Sequence, residues 1–165
     1  NIAISGSSAG AISVMQAEYE IANGTRWAEV LPQGFNYAGV MSFSGAILSR
    51  EGKIDFKNAT CPVMMLHGTA DKLVPYSQIK VFNLGFFGGG KLVQRFKKFG
   101  FNFNMYHFMD YGHEIAGSMD TTFDLQTDFI ETNILEGKRR IIEAWVSDPD
   151  VYKGFGPQSR KELYR

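Results

Sequence analysis

The sequence predicts an α/β fold in which a mainly parallel β-sheet is flanked by helices. Short apolar runs that suit buried strands alternate along the chain with stretches in which apolar residues recur at helical spacing. The composition supports a packed core, because 44% of the 165 residues are hydrophobic and 21% are charged. A chain of this length can bury a single core, so we expect one domain or a large part of one.

The first half of the chain is predicted to contain three strands and one helix. Ile2–Ser5 is an apolar run that stops at a glycine, and Ala9–Ile21 has apolar residues at helical spacing. A second strand is predicted around Tyr37–Phe43, and Pro62–Gly68 is a third strand, apolar on both faces. The intervening segment Arg50–Thr60 is charged and rich in turn residues, so we expect a surface connection.

The segment after the third strand is predicted to be helical. Pro75 suits the first turn of a helix, where a missing N–H has no cost. The glycine-rich run Phe82–Gly90 is interpreted as a bend between two helical pieces. Lys91–Phe99 carries apolar residues on one side and basic residues on the other, a pattern that predicts an amphipathic helix.

A fourth strand is predicted at Phe103–Met109, followed by helices at Phe123–Leu135 and at Arg139–Val146. The last residues are polar and contain two prolines and two glycines. We therefore expect residues 1–147 to form the folded unit and residues 148–165 to be an irregular polar tail.

Charge and composition exclude several classes of protein. Seventeen basic and seventeen acidic residues cancel, so no net charge favours nucleic acid or an anionic membrane as a partner. No apolar stretch approaches the roughly 18 residues that a membrane span needs. Cys61 is the single cysteine, which excludes an internal disulfide and a multi-cysteine metal site and favours a buried structural thiol. The chain begins inside an apolar run, so we expect a longer protein. The sequence does not distinguish a secreted or periplasmic protein from one of another compartment.

Residues 6–10 read Gly-Ser-Ser-Ala-Gly and match the Gly-x-Ser-x-Gly pattern of a nucleophile elbow. The pattern alone is weak, with roughly one chance match per eight such chains. Its position between a predicted strand and a predicted helix is the setting that an elbow requires. Small residues suit a tight, strained turn, so Gly6 and Gly10 are the predicted elbow glycines and Ser8 the predicted nucleophile. The backbone N–H of Ala9 is the predicted oxyanion donor, and the alternative is that Ser7 or Ser8 merely caps the helix.

A serine nucleophile needs a base and an acid that orients the base. His113 follows the fourth predicted strand in a loop at the same sheet edge as Ser8, so it is the predicted base. His67 at the end of the third strand is an alternative base, whereas His107 lies inside a strand and is predicted to be a packed or half-exposed sheet residue. Asp71 follows the third strand and is the predicted acid, with Asp110 as the alternative.

Three segments of the chain resemble the esterase branch of the α/β-hydrolases, over roughly residues 1 to 135. They read Gly-Ser-Ser-Ala-Gly after a strand, then Pro-Val-Met-Met-Leu-His-Gly-Thr-Ala-Asp-Lys-Leu-Val-Pro-Tyr, and then Tyr-Gly-His-Glu. The strongest likeness lies in His67, Gly68, Asp71, Val74, Pro75, Gly112 and His113. That branch includes carboxylesterases and acetyl- or feruloyl-ester hydrolases.

The resemblance implies hydrolysis of a small-molecule carboxylic ester through an acyl-enzyme, with Ser8, Asp71 and His113 in the chain order of the fold. It implies no metal and no organic cofactor. Phe43, Phe86 and Phe87 are the apolar side chains expected to line the substrate pockets. A serine peptidase of the same fold and a non-catalytic hydrolase-fold binding fragment are the alternatives.

The chain departs from the family pattern in two ways. The family's sheet has about eight strands with the elbow after the fifth, so residues 1–147 would be the C-terminal half of the catalytic domain, strands five to eight. The family's His-Gly-Gly-type loop, which supplies a second oxyanion donor, does not occur, and Gly88–Gly90 lies in the wrong part of the fold. The first strand would then be an exposed edge, and we expect self-association through it or weak activity without the upstream half.

Overall fold

The computed structural model describes residues 2–25 and 29–147, which form an α/β fold with two sheets. Five parallel strands make the larger sheet in the order β1-β2-β4-β7-β8, and three antiparallel strands make the smaller sheet in the order β3-β6-β5. The strands are β1 (Ala3–Ser7), β2 (Gly39–Phe43), β3 (Ala46–Ser49), β4 (Val63–Gly68), β5 (Gln78–Val81), β6 (Leu84–Gly88), β7 (Phe103–Phe108) and β8 (Ile142–Val146). The predicted tail, residues 148–165, lies outside the described residues.

The four strands predicted from the sequence are confirmed as β1, β2, β4 and β7, which are consecutive neighbours in the parallel sheet. Because the strands run parallel, their carboxyl ends meet at one edge of the sheet, and the loops that follow them lie side by side. Among the described strands β1 pairs only with β2, so it stands at an edge of the sheet as expected.

The main helices also agree with the sequence pattern. α1 (Ala9–Ala22) follows β1 after a single residue, and α2 (Gly89–Phe99) buries the apolar side that its pattern predicts. α2 is capped at its C-terminus by Gly100, whose φ of 69° is the left-handed conformation that glycine adopts readily. α3 (Phe123–Phe129) continues as a π-helical segment, Ile130–Leu135. No helix among the described residues is both long and apolar enough to cross a membrane.

The helix predicted at Arg139–Val146 is wrong, because this segment contains β8, which pairs in parallel with β7. Ile142, Ala144 and Val146 pack against the core beside α3, and the residues between them point the other way. This spacing of two is the signal of a strand. The bulky apolar Trp145, 58% exposed, interrupts the alternation and made the segment resemble a helix.

The helical pieces predicted around Pro75 and Phe82–Gly90 are also wrong. Pro75 lies in an irregular loop, and β5 and β6 form a hairpin that pairs with β3. The glycines serve close backbone approaches, since a Cβ at Gly88 would lie 1.8 Å from the carbonyl oxygen of Pro75. Glycines inside strands often mark such approaches, and here they resembled a bend between helices.

The core is divided between the two faces of the large sheet. One cluster packs α1 and α2 against one face, and the other packs α3 and the residues after β7 against the opposite face. Ile54 and Phe56 in the irregular segment 50–60 are buried, so this connection closes the first cluster and is more than a surface loop. Cys61 is buried as predicted, and burial raises the pKa of its thiol.

Phe43 and Phe87 are completely buried in these clusters, so the expectation that they line a substrate pocket is wrong. Phe43 is the last residue of β2 and Phe87 lies inside β6, and both side chains contribute to packing. Phe86, the third side chain of that prediction, is partly exposed on β6.

Candidate active site

Ser8 occupies a strained turn between β1 and α1. Its φ and ψ of 54° and −119° lie in a region that non-glycine residues rarely adopt. Its backbone N–H donates to the carbonyl oxygen of Phe43 at 2.9 Å, which fastens the turn to the end of β2. The side chain makes no capping hydrogen bond to α1, so the alternative of a serine that merely caps the helix does not describe this residue.

The two elbow glycines differ in their surroundings. A Cβ at Gly6 would lie 2.3 Å from the carbonyl oxygen of Gly10, so only glycine allows β1 and α1 to approach this closely. A Cβ at Gly10 would meet nothing within 4 Å. The steric reason given for both glycines therefore holds for Gly6 and not for Gly10.

His113 is positioned with one ring nitrogen at Ser8. It opens a 3₁₀ turn, His113–Gly117, in the loop that follows β7. The Ser8 hydroxyl donates to Nε2 of His113, with 2.8 Å between Oγ and Nε2, and the histidine side chain is 21% exposed. The Ser7 hydroxyl donates to the carbonyl oxygen of Ala116 in the same turn. Ser7 thus connects β1 to the turn that carries His113.

Asp71 accepts from the other ring nitrogen of His113, with 2.9 Å between Oδ2 and Nδ1. Its Oδ1 accepts from the backbone N–H groups of Leu73 and Val74, both at 2.9 Å. The carboxylate is completely buried. Burial alone would raise its pKa, but the neighbouring groups, His67 first and then His113 and Val74, outweigh burial and hold the pKa well below its usual range. Asp71 is therefore ionised at neutral pH.

The loops that carry Asp71 and His113 are joined by backbone contacts. Thr69 N–H donates to Phe108 at 2.9 Å, and Ala70 N–H donates to Tyr111 at 2.8 Å. A Cβ at Gly68 would lie 2.3 Å from the carbonyl oxygens of both Tyr111 and Gly112. Glycine at the end of β4 thus lets the backbone before His113 pass close enough for the histidine to reach Asp71.

Asp110 and the other two histidines have partners other than Ser8. The backbone N–H of Asp110 donates to the Thr69 hydroxyl, and Asp110 adopts a φ of 62°. Its carboxylate is not the partner of His113, which bonds to Asp71. His107 is packed inside β7 as predicted, with its ring nitrogens on Tyr76 and Glu143. His67 is 1% exposed and lies beside Asp71, with 3.5 Å between its Nε2 and Oδ2.

Ala9 is the first residue of α1, so its N–H has no acceptor within the helix and lies at the positive end of the helix dipole. This is the position predicted for an oxyanion donor. The N–H groups of Gly88, Gly89 and Gly90 bond to Ser77, His67 and Tyr76, so these glycines do not form an oxyanion loop. The described residues contain no group of three or more His, Cys, Asp or Glu side chains arranged for a metal ion.

The contributions of Ser7 and His67 were missed by sequence reasoning. Ser7 was considered only as an alternative helix cap, and its partner Ala116 lies 109 residues away. For His67 a signal existed, since it lies four residues before Asp71 in the His-Gly-x-x-Asp segment.

Comparisons of the chain with protein-family models, with curated proteins and with solved structures found no match in any of the three. Function is therefore inferred from the fold and from the geometry of the site.

Proposed function

We propose that this chain is a serine hydrolase of the α/β-hydrolase type that cleaves carboxylic esters through an acyl-enzyme. The observation that supports this best is the continuous hydrogen-bonded chain Ser8–His113–Asp71, with heavy-atom distances of 2.8 and 2.9 Å. These are hydrogen-bond distances for a nucleophile, a base and an acid that orients the base. The strained backbone of Ser8 also fits a nucleophile, because such strain concentrates at active sites.

The first half of the reaction uses the proton acceptor on His113. Asp71 accepts a hydrogen bond from Nδ1–H, so Nε2 carries the lone pair that faces the Ser8 hydroxyl. As Ser8 Oγ bonds to the ester carbonyl carbon, its proton passes to Nε2 and the carbonyl π electrons move to oxygen. The resulting imidazolium is stabilised by the ionised, buried Asp71.

The developing oxyanion is stabilised by the N–H of Ala9 at the start of α1. One such donor contributes about 10²–10³ in rate. Collapse of the tetrahedral intermediate breaks the bond to the alcohol oxygen, which takes the proton from Nε2 of His113. Water then repeats these steps on the acyl-Ser8, releasing the acid and restoring the serine hydroxyl. The proton transfers of both halves use His113, the leaving alcohol and water.

The order of the sheet supports the same assignment. Ser8, Asp71 and His113 follow β1, β4 and β7, all at the carboxyl edge of a parallel sheet and in the order nucleophile, acid, base. In this proposal β1, β2, β4 and β7 correspond to strands five to eight of the family. β8 lies beyond these four and is an addition to the expected pattern.

A fluorophosphonate probe tests the proposal, because it phosphorylates an activated serine and forms a stable adduct. We expect the protein to be labelled at Ser8, and Ser8→Ala to abolish labelling. Ser7→Ala is the matched control, since it removes the adjacent hydroxyl and leaves that of Ser8, so its labelling is expected to be slower but retained. An unlabelled wild-type protein of correct fold would favour the binding-fragment alternative.

A pair of chromogenic substrates with the same acyl group, one a nitrophenyl ester and one a nitroanilide, distinguishes an esterase from a peptidase. We expect turnover of the ester and little of the amide. Equal or faster turnover of the anilide would contradict the ester assignment and leave the serine mechanism in place.

A further inference from the structure

His67 has a role that neither the base nor the acid assignment uses. It is the fifth residue of β4, it is 1% exposed, and both of its ring nitrogens have partners in the protein. A buried imidazole with two defined partners holds one orientation and one tautomer.

The partners determine which nitrogen carries the proton. Gly89 N–H, at the beginning of α2, donates to Nδ1 of His67 at 3.2 Å, so Nδ1 carries a lone pair. The proton is therefore on Nε2, which donates to the carbonyl oxygen of Val74 at 2.8 Å. A Cβ at Gly89 would lie 2.9 Å from Nδ1, so glycine is what permits α2 to approach the ring.

We call residues 69–77, which join β4 to β5 and carry Asp71, the acid loop. Val74 closes this loop around the Asp71 carboxylate. Val74 N–H donates to Asp71 Oδ1, and the Val74 carbonyl accepts from His67. The Nε2 atom of His67 also lies 3.5 Å from Asp71 Oδ2, the oxygen that accepts from His113. The shorter contact is to Val74, so His67 acts on the loop mainly through that carbonyl and on the carboxylate as a nearby dipole.

We infer that His67 is a positioning residue for the proposed hydrolase, holding Asp71 at His113 by fastening the acid loop to β4 and to the start of α2. The inference rests on the proposed function. His67 is not an alternative base, because Gly89 and Val74 occupy both of its nitrogens and Asp71 lies between it and His113.

Two substitutions separate the functions of the two ring nitrogens. His67→Gln retains a donor near the position of Nε2, and His67→Asn retains an acceptor near Nδ1 but no longer reaches Val74. We expect kcat of the Asn variant to fall about 10–100-fold with KM unchanged, because His67 does not touch substrate and a misplaced acid loop affects the chemical step. The Gln variant is expected to stay within a few-fold of wild type.

Two further variants keep the test decisive if His67→Asn does not fold. Gly89→Ala retains His67 but pushes on its ring, and it is expected to lower kcat in the same way. Met65→Ala truncates another buried side chain of β4, two residues away, and is expected to lower stability without lowering kcat. Equal losses of kcat in Met65→Ala and His67→Asn would reduce His67 to a packing residue and overturn the inference.

A second measurement does not depend on esterase activity. The Nδ1 proton of His113, hydrogen-bonded to a buried carboxylate, is expected to give a downfield proton NMR signal. We expect this signal in the wild type and in His67→Gln, and its loss or upfield shift in His67→Asn. An unchanged signal and kcat in a folded Asn variant would refute the positioning role while the hydrolase proposal stands. If the wild type is not labelled by the fluorophosphonate but its NMR signal depends on residue 67 as described, the hydrolase proposal is refuted and the positioning role stands.

Discussion

Gly68→Ala tests whether the close approach of the end of β4 to the backbone just before His113 determines reactivity at Ser8. An added Cβ would lie 2.3 Å from the carbonyl oxygens of Tyr111 and Gly112, whereas ordinary contact begins at 3.4 Å. The two backbones must therefore separate by about 1.1 Å. His113 follows Gly112 directly, so a shift of this size moves its ring away from Ser8, now 2.8 Å distant.

A displacement of about 1 Å from productive geometry costs on the order of 10²-fold in rate. The steric overlap itself is expected to destabilise the fold by about 1–3 kcal/mol. The two effects are separated by measuring the second-order rate of fluorophosphonate labelling together with urea unfolding. Gly68→Ala is expected to be folded at low urea and labelled about 100-fold more slowly than wild type.

Gly117→Ala is the matched control, because Gly117 ends the 3₁₀ turn that His113 begins and a Cβ there would meet nothing within 4 Å. We expect it to be labelled at the wild-type rate. A folded Gly68→Ala protein that is labelled as fast as the control would refute the reasoning that this glycine sets the position of His113.

Three other predictions follow from single contacts. Ser7→Ala removes the hydroxyl that donates to Ala116, and urea unfolding is expected to show a loss of about 1–3 kcal/mol, with slower labelling of Ser8 that Ser7→Thr restores. Gly6→Ala places a Cβ 2.3 Å from the Gly10 carbonyl oxygen, so it is expected to unfold at lower urea and to be labelled more slowly, as Gly68→Ala is. Thermal unfolding followed by circular dichroism should show Gly10→Ala at least as stable as wild type, since alanine is favoured over glycine in a helix. Burial raises the pKa of Glu18, opposed by its hydrogen bonds with Cys61, so the protonated form is stabilised on folding. The wild type should therefore lose stability relative to Glu18→Gln as the pH rises above the ordinary value of 4.5, and a constant difference in urea midpoint across this range would contradict this.

The parts of the fold that were predictable are those whose signal is local. β1, β2, β4 and β7 are apolar runs in a sheet covered on both faces, and α1 and α2 have apolar residues at helical spacing. The smaller sheet was not predictable in this way. β3 is a four-residue strand that pairs with β6, and β6 lies some forty residues further along the chain. The glycines of β6 allow close contacts with other parts of the backbone. When these contacts are unknown, the same glycines suggest a bend and not a strand.

The placement of Ser8, Asp71 and His113 was predictable because a parallel sheet gathers the carboxyl ends of its strands at one edge. Once three chemically suitable residues follow three such strands, proximity follows from topology. Topology does not determine the exact distances among the three side chains. These distances depend on Ser7 bonding to Ala116 and on His67 bonding to Val74, contacts for which composition and periodicity carry no signal.

The glycines show the same division between what a motif states and what the structure requires. Gly10 belongs to the elbow pattern, yet a side chain there would meet open space. Gly68 lies outside that pattern, yet a side chain there would collide with the backbone just before His113. A pattern of residue types identifies where an elbow lies, but the tolerance of each position depends on which backbone passes beside it. For that reason substitutions at Gly68 and Gly89 probe the site more directly than a substitution at Gly10.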